Sequence, residues 1–133
     1  MKAVRRIFTY VWVFPISCIG LLLIPLVIAT GGTVTRLSGN IETAGGFLSY
    51  LLSWLRIEAV TIGHILIGPC QKSLRRCRVH EHVHVRQYER WGIFFPFLYL
   101  ASSMIAYVRG RDPYRENAFE REAFSSAPPE KTA

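Results

Sequence analysis

The sequence has no stretch that resembles a zinc finger, a glycine-rich phosphate-binding loop or an RNA-binding signature. These absences argue against a nucleic-acid partner, although 16 Lys and Arg against nine Asp and Glu give a formal net charge of +7. A basic chain that also carries a long apolar segment is more typical of a protein that contacts anionic lipid. We therefore predict membrane lipids, and no nucleic acid, as partners.

Cysteine is also scarce, with three residues in the chain. Cys18 lies inside the apolar N-terminal segment, while Cys70 and Cys77 flank a basic stretch. The spacing of the last two is not that of zinc ligands, and a disulfide between them would need an oxidising compartment. We interpret all three as ordinary thiols.

Charged residues are missing from Ile7 to Ala29, directly after a basic N-terminus. The segment is long enough to cross a bilayer, which takes about 20 apolar residues. A cleaved signal peptide would have a shorter apolar core, so an uncleaved anchor over residues 1–30 is favoured. Pro15 and Pro25 each remove a helical hydrogen bond, so the anchor is predicted to be a bent span or a re-entrant hairpin.

Three short elements are predicted between the anchor and the basic stretch. Residues 33–43 place β-branched side chains on both sides of Gly39-Asn40, which predicts a hairpin. Residues 45–55 are apolar and predict a short helix. Residues 57–67 are rich in β-branched side chains and predict one strand, buried or at a sheet edge. His64 lies within it, and a lone His in a strand is most often structural.

The sequence His80-Glu81-His82-Val83-His84 has the pattern His-Glu-x-x-His. On a helix, His80 and His84 project within about 40° of each other, so both imidazoles can reach one metal ion. Glu81 lies beside the pair, where it could take a proton from a water molecule activated by the metal. This arrangement is that of a zinc peptidase.

A catalytic zinc usually takes three protein ligands. Glu89 is displaced by about 160° from the middle of the His pair, whereas Gln87 and Trp91 share the face of that pair. A third ligand from a second helix is therefore expected. Residues 91–108 are apolar and are predicted to form a helix that packs on the domain or lies shallowly in the bilayer. Either placement would leave the His pair and the C-terminal acidic segment on the same side of the membrane.

A basic cluster surrounds the motif and is predicted to be either a solvated face or a contact with lipid head groups. Its members are Lys72, Arg75, Arg76, Arg78, Arg86 and Arg90.

The motif helix, with Gln87 soon after it, is followed later in the chain by Phe119-Glu120-Arg121-Glu122-Ala123. Together these features resemble the gluzincin metallopeptidases, in which a Glu in a Glu-x-x-Ala context on a second helix is the third zinc ligand. The chain is most similar to small membrane-associated forms. The resemblance covers residues 57–124, and the stretch 61–65 resembles the strand that precedes the active helix and can hold an extended peptide at its edge.

The resemblance implies that His80, His84 and Glu120 bind Zn²⁺ and that Glu81 is the general base, with Glu122 as a less favoured substitute ligand. It further implies a peptide or membrane-protein substrate and a location in or on a membrane, such as the bacterial inner membrane.

The expected fold is α+β, with a membrane anchor over residues 1–30, a gluzincin-like metal-binding domain over 31–124 and a disordered tail over 125–133. Two other functions remain open. The chain could be a non-catalytic metal-binding or cofactor-binding subunit of a larger membrane complex, in which His64, His80, His82 or His84 binds the group. It could also be a protein without metal whose basic helix lies on anionic lipid.

Overall fold

A computed structural model describes residues 1–126 of the chain as a mixed α+β protein with a small four-stranded sheet. In chain order the elements are α1 (Lys2–Ala29), β1 (Thr33–Leu37), β2 (Asn40–Ala44), α2 (Gly46–Trp54), β3 (Val60–Ile62), β4 (Ile65–Gly68), α3 (Gln71–Trp91), a 3-10 turn (Gly92–Phe94), α4 (Phe95–Val108) and α5 (Ala118–Ser126). Of the tail predicted to be disordered, Ser125 and Ser126 belong to α5, and residues 127–133 lie outside the described part.

The sheet has the strand order β1-β2-β4-β3. β1 and β2 form the predicted antiparallel hairpin, but its turn is Ser38-Gly39, because Leu37 pairs with Asn40. Both turn residues have positive φ, of 52° and 83°, as a two-residue hairpin turn requires. β2 runs parallel to β4, and β3 is antiparallel to β4 at the far edge.

The prediction of one strand over residues 57–67 is wrong, because this segment forms two strands that reverse at Gly63-His64. Gly63 has a φ of +64°, which side chains other than glycine rarely adopt. A Cβ at this position would also lie 2.9 Å from the backbone of Ser17 in α1. The backbone of Gly63 therefore both turns the chain and allows α1 to approach the sheet. β4 is the buried centre and β3 is the edge.

Helices cover both faces of β4, whose side chains alternate between them. On one face Ile65 and Ile67 pack with Val27 of α1 and with Leu48 and Leu52 of α2. On the other face the core contains Leu66 of β4, Leu74 and Val85 of α3, and Ala44 of β2. The sheet thus has α1 and α2 on one face and the motif helix α3 on the other.

The N-terminal segment is one helix that contains both Pro15 and Pro25, so the alternative of a re-entrant hairpin is wrong. One stripe of α1 is buried against the domain: Val13, Ile16, Ser17, Gly20 and Val27. Val13 and Ile16 pack with Tyr88 and Phe95 in a core that α1 shares with α3 and α4. Residues 1–30 are therefore part of the folded domain as well as a candidate anchor.

The helical run Gln71–Val108 bends at Gly92, whose φ of +56° ends α3. α4 then packs against α3 and α5, which is one of the two predicted arrangements, and the ring of Tyr99 lies 6.4 Å from that of His84. On a straight helix these two residues would be roughly 22 Å apart. The bend therefore brings α4 to the motif and leaves the motif and α5 on the same side of α4.

Two helices are long and apolar enough to span a membrane, Lys2–Ala29 and the run Gln71–Val108. Within the second run, α3 carries eight charged side chains, and the apolar part begins at Trp91. α4 has 14 residues, about 21 Å of helix, against a hydrocarbon core of about 30 Å. Both α1 and α4 expose apolar side chains, among them Phe8, Leu22, Phe97 and Leu100.

Candidate metal centre

α3 places the two motif imidazoles side by side, one turn apart on the face that packs against α5. The Nε2 atoms of His80 and His84 are 3.2 Å apart. One ligand atom each of His80, Glu81 and His84 lies within 4.8 Å of the others, so the three residues form a group that could hold a metal ion. Glu81 and His84 are buried, and His80 is partly exposed. The helical period alone explains this juxtaposition.

A carboxylate from α5 completes the cluster. The Oε2 atom of Glu120 is 2.9 Å from Nε2 of His80, and its Oε1 atom is 3.3 Å from Nε2 of His84. The hydroxyl of Tyr99 on α4 donates a hydrogen bond of 2.6 Å to Oε1 of Glu120. Two imidazoles and one carboxylate thus converge on one point from two helices, while a side chain of a third helix orients the carboxylate.

Asn117 fixes the start of α5 against α4. Its side-chain amide donates to the carbonyl oxygen of Tyr99 and to the hydroxyl of Ser103, at 3.0 and 2.7 Å. Its Oδ1 accepts from the backbone N–H of Phe119, as a residue at a helix N-cap does. Asn117 is fully buried. Glu120 follows in the first turn of α5, where the helix dipole also favours a carboxylate.

Gln87 sets the tautomer of His84. Its side-chain amide nitrogen donates to the carbonyl oxygen of Phe119 and to the carboxylate of Glu122, at 3.0 and 2.8 Å. Both partners only accept, so the amide oxygen of Gln87 must face Nδ1 of His84, 2.8 Å away. Nδ1 of His84 therefore carries a proton, and Nε2 is the nitrogen that faces Glu120 and the candidate metal site. Second partners of this kind orient imidazoles for metal binding.

Glu81 is buried beneath β3, and the hydroxyl of Thr61 donates to its Oε2 at 2.6 Å. Burial raises the pKa of Glu81 above the ordinary carboxyl value, while the nearby His84 imidazole and the Thr61 hydroxyl oppose that rise. Among residues 1–126 no side chain donates to Oε1 of Glu81. This oxygen is therefore able to accept a proton.

The pKa values of Glu120 and His84 shift in the directions that favour a negative carboxylate beside a positive imidazolium. Burial would raise the pKa of Glu120, but hydrogen bonds from His80 and His84 outweigh it and lower that pKa to about 2. Burial would likewise lower the pKa of His84, but the hydrogen bond to Glu120 and the charge of Glu81 raise it. The site therefore holds Glu120 as a carboxylate, the form that binds metal ions.

The structure brings together His80, Glu81, His84 and Glu120 and separates the other candidates from them. His64 is buried away from the cluster, and its Nε2 is 3.2 Å from Glu89. Glu122 hydrogen-bonds with Gln87, and Arg90 lies 3.6 Å from its other oxygen.

His82 and Trp91 also lie outside the cluster of candidate ligands. His82 lies on the opposite side of α3 and faces a separate cavity. Trp91 shares the face of the His pair by sequence but is 41% exposed at the end of α3.

Three polar residues of the site were not singled out from the sequence: Thr61, Tyr99 and Asn117. Asn117 carries a recognisable signal, because an Asn directly before a helix that starts with an acidic turn is a common N-cap. Thr61 and Tyr99 carry none, since their roles depend on the turn at Gly63 and on the bend at Gly92. Neither feature follows from local periodicity.

The donor set is one that a divalent metal ion such as zinc accepts. Zinc accepts imidazole nitrogen and carboxylate oxygen, and catalytic sites commonly hold three protein ligands and keep one position open. His80, His84 and Glu120 supply such a set, with Gln87 and Tyr99 holding two of the three ligands in place. The bend at Gly92 and the Asn117 cap are the structural features that make the set possible.

In comparisons with models of protein families, with curated proteins and with solved structures, nothing matches the chain.

Proposed function

We propose that the protein is a membrane-associated zinc metallopeptidase of the gluzincin type that hydrolyses peptide bonds with a zinc-activated water. The observation that carries the proposal is the position of Glu120, whose two carboxylate oxygens lie 2.9 and 3.3 Å from the Nε2 atoms of His80 and His84. A purely structural metal site does not need a further buried carboxylate beside its ligands, yet Glu81 is buried beside the imidazoles of His80 and His84. His80, His84 and Glu120 are the proposed ligands.

His80, His84 and Glu120 would hold the zinc ion, which would supply Lewis-acid chemistry that makes water a better nucleophile. Glu81 takes the proton of the attacking water on Oε1 and passes it to the leaving amine nitrogen. Its raised pKa suits both steps, because a carboxyl that titrates closer to neutral pH is both a usable base and a usable acid. Thr61 holds the other oxygen and fixes the orientation of the carboxyl group.

The edge strand β3 is the proposed binding site for the substrate backbone. β3 is the last strand in the order β1-β2-β4-β3, so one of its edges has no partner strand among the described residues. Its central residue, Thr61, touches Glu81. An extended peptide that added to β3 would therefore run close to the proposed base. The exposed apolar faces of α1 and α4 support a membrane location and a membrane-protein or peptide substrate.

A second candidate is a non-catalytic metal-binding subunit of a membrane complex. It is favoured by Phe124 of α5, whose ring lies 4.8 Å from the ring of His80, the most exposed imidazole of the cluster. An aromatic side chain at this position limits access to the metal. Such a protein would bind zinc through the same residues and have no use for the basicity of Glu81.

We expect the protein purified in mild detergent to contain about one zinc per chain, because two imidazoles and one carboxylate complete the usual catalytic set. His80→Ala and His84→Ala should each reduce the zinc content to near zero. His64→Ala, which removes an imidazole outside the cluster, should leave it unchanged. Metal analysis by mass spectrometry after dialysis measures this ratio, and a wild-type protein without zinc even after zinc is added would contradict the proposal.

Tyr99→Phe should weaken zinc binding about tenfold or more, because it removes the hydroxyl that holds Oε1 of Glu120. Loss of a hydrogen-bond partner of a metal ligand typically costs about 10- to 100-fold in affinity. Tyr107→Phe is the matched control, since Tyr107 lies on the same helix and is exposed. Titration against a chelator of known affinity compares the two variants. Equal affinities would show that the hydroxyl has no part in metal binding.

A further inference from the structure

A second candidate site lies on the other side of α3 from the metal cluster. An open cavity of about 520 Å³ is lined by the N-terminal part of α1, the turn between β1 and β2, and the outer face of α3. Four of its lining residues are basic: Lys2, Arg5, Arg6 and Arg86. Its one acidic lining residue is Glu89, which already interacts with His64. The cavity is therefore strongly positive.

The basic groups of this cavity have no acidic partners in the part of the chain that the structure describes. Among residues 1–126, none of its Lys and Arg side chains forms an ion pair. His82 also lines the cavity, and its Nε2 atom is buried without a hydrogen-bond partner in the described part of the chain. This atom has no surface open to the cavity, so it does not contact a bound group directly. Lys2, Arg5, Arg6 and Arg86 together could hold a multiply charged oxyanion.

A second, apolar cavity adjoins the basic one. It has a volume of about 240 Å³ and shares Tyr10 and His64 with its neighbour as lining residues. Phe14, Leu21 and Ile65 contribute apolar surface to it. The ring of Tyr10 lies on that of His64, 4.6 Å away, and its hydroxyl donates to the carbonyl oxygen of Gly39 in the hairpin turn. The two rings thus lie where the basic cavity meets the apolar one along a single helix.

We propose that these two cavities bind one anionic phospholipid, with its phosphate group among Arg5, Arg6 and Arg86 and an acyl chain that runs along α1 past Phe14 toward Leu21. A headgroup of this kind matches the four cations, which form no ion pair within residues 1–126, and a lipid carries apolar chains close to its phosphate. α1 is also long and apolar enough to span a membrane, and its basic N-terminal end would then lie at the level of the headgroups. The lipid would fix α1 and the hairpin against α3.

Native mass spectrometry of the detergent-solubilised full chain tests this proposal, with two lipids of identical acyl chains. Phosphatidylglycerol should bind one molecule per chain and more tightly than phosphatidylcholine. Arg6→Gln with Arg86→Gln should weaken phosphatidylglycerol binding about 10- to 30-fold. The matched control is Lys72→Gln with Arg75→Gln, which removes the same charge from exposed positions outside the cavity and should change binding little.

A second pair of variants tests the apolar compartment. Leu21→Gln should weaken binding of phosphatidylglycerol, whereas Leu22→Gln, at an exposed position outside both cavities, should not. Inorganic phosphate and the glycerophosphoglycerol headgroup without acyl chains should bind much more weakly than the lipid. The proposal is overturned if the two lipids bind equally, if both charge variants lose the same affinity, or if phosphate alone binds as tightly as the lipid.

Discussion

Glu81→Gln is expected to lower peptide hydrolysis by about two to four orders of magnitude while zinc stays bound. The change keeps the size of the side chain and its hydrogen bond from Thr61, but it removes the basicity of Oε1. Loss of a positioned proton acceptor typically costs about 10²- to 10⁴-fold in rate. Cleavage of an unfolded membrane-protein or peptide substrate and the zinc content should be measured on the same preparation.

Glu120→Gln should have a different signature. An amide is a poorer metal ligand than a carboxylate, and this change also alters the partner of both imidazoles and of Tyr99. Loss of a hydrogen-bond partner of a metal ligand costs up to about 100-fold in metal affinity. Loss of the ligand itself should lower zinc affinity at least as much, and activity should fall with zinc affinity. Glu81→Gln and Glu120→Gln therefore separate loss of the base from loss of the metal.

Two further variants complete the comparison. Glu122→Gln should change metal content and activity far less, because a glutamine can still accept the hydrogen bond from Gln87. Glu116→Gln is the control at an exposed position just before α5. If Glu81→Gln leaves every measurable function intact while the His80 and His84 variants destroy it, the protein is a metal-binding subunit and not a peptidase.

Arg78→Met is expected to lower the free energy of unfolding by about 3 kcal/mol. Arg78 donates two hydrogen bonds, of 2.8 and 2.9 Å, to the carboxylate of Glu42 in the central strand β2. The Glu42 side chain is 2% exposed, so loss of the arginine leaves a buried charge without a partner. Removing one partner of a buried pair typically costs about 3–5 kcal/mol, and the 31% exposure of Arg78 places this pair at the lower end.

Denaturant unfolding followed by circular dichroism in detergent measures this difference. Arg75→Met removes an equally long basic side chain from an exposed position of the same helix and should change stability by less than about 0.5 kcal/mol. Glu42→Gln combined with Arg78→Met should recover part of the loss, because no unpaired charge then remains buried. A single Arg78→Met variant as stable as Arg75→Met would contradict the role assigned to the pair.

The basic cluster of α3 thus divides into residues with different surroundings, which its sequence does not distinguish. Arg78 holds a buried carboxylate, Arg76 pairs with the exposed Glu58, and Arg86 lines the basic cavity. The sequence predicts a choice between a solvated face and a lipid contact for the whole cluster. The different surroundings of these residues come from their neighbours in space, which belong to β2, the loop before β3 and α1.

Local sequence was sufficient for the features that depend on neighbouring residues. The spacing of His80 and His84 places their imidazoles together because a helix repeats every 3.6 residues. The Thr33–Ala44 hairpin follows from β-branched residues on both sides of a turn. The prediction placed that turn one residue too late in the chain. The helical nature of α1 and α4 follows from long apolar segments.

The segment 57–67 shows where local patterns fail. Its composition is that of one continuous strand, yet the chain reverses at Gly63. The first half forms the partly buried strand β3, and the second half forms the fully buried strand β4. A single glycine inside an apolar run does not reveal a turn, because glycine also occurs within strands. The turn at Gly63 is packed against Ser17 of α1, and that contact joins residues far apart in the chain.

The sequence by itself determined the pair of imidazoles, the carboxylate beside them and the apolar character of α1, because each depends on residues within a few turns of one helix. A resemblance of motifs pointed to Glu120, but its distance from the His pair was decided by the tertiary structure. The bend at Gly92, the return of α4 and the Asn117 cap bring α5 to α3. Such long-range contacts follow from packing of whole elements, which no short segment encodes.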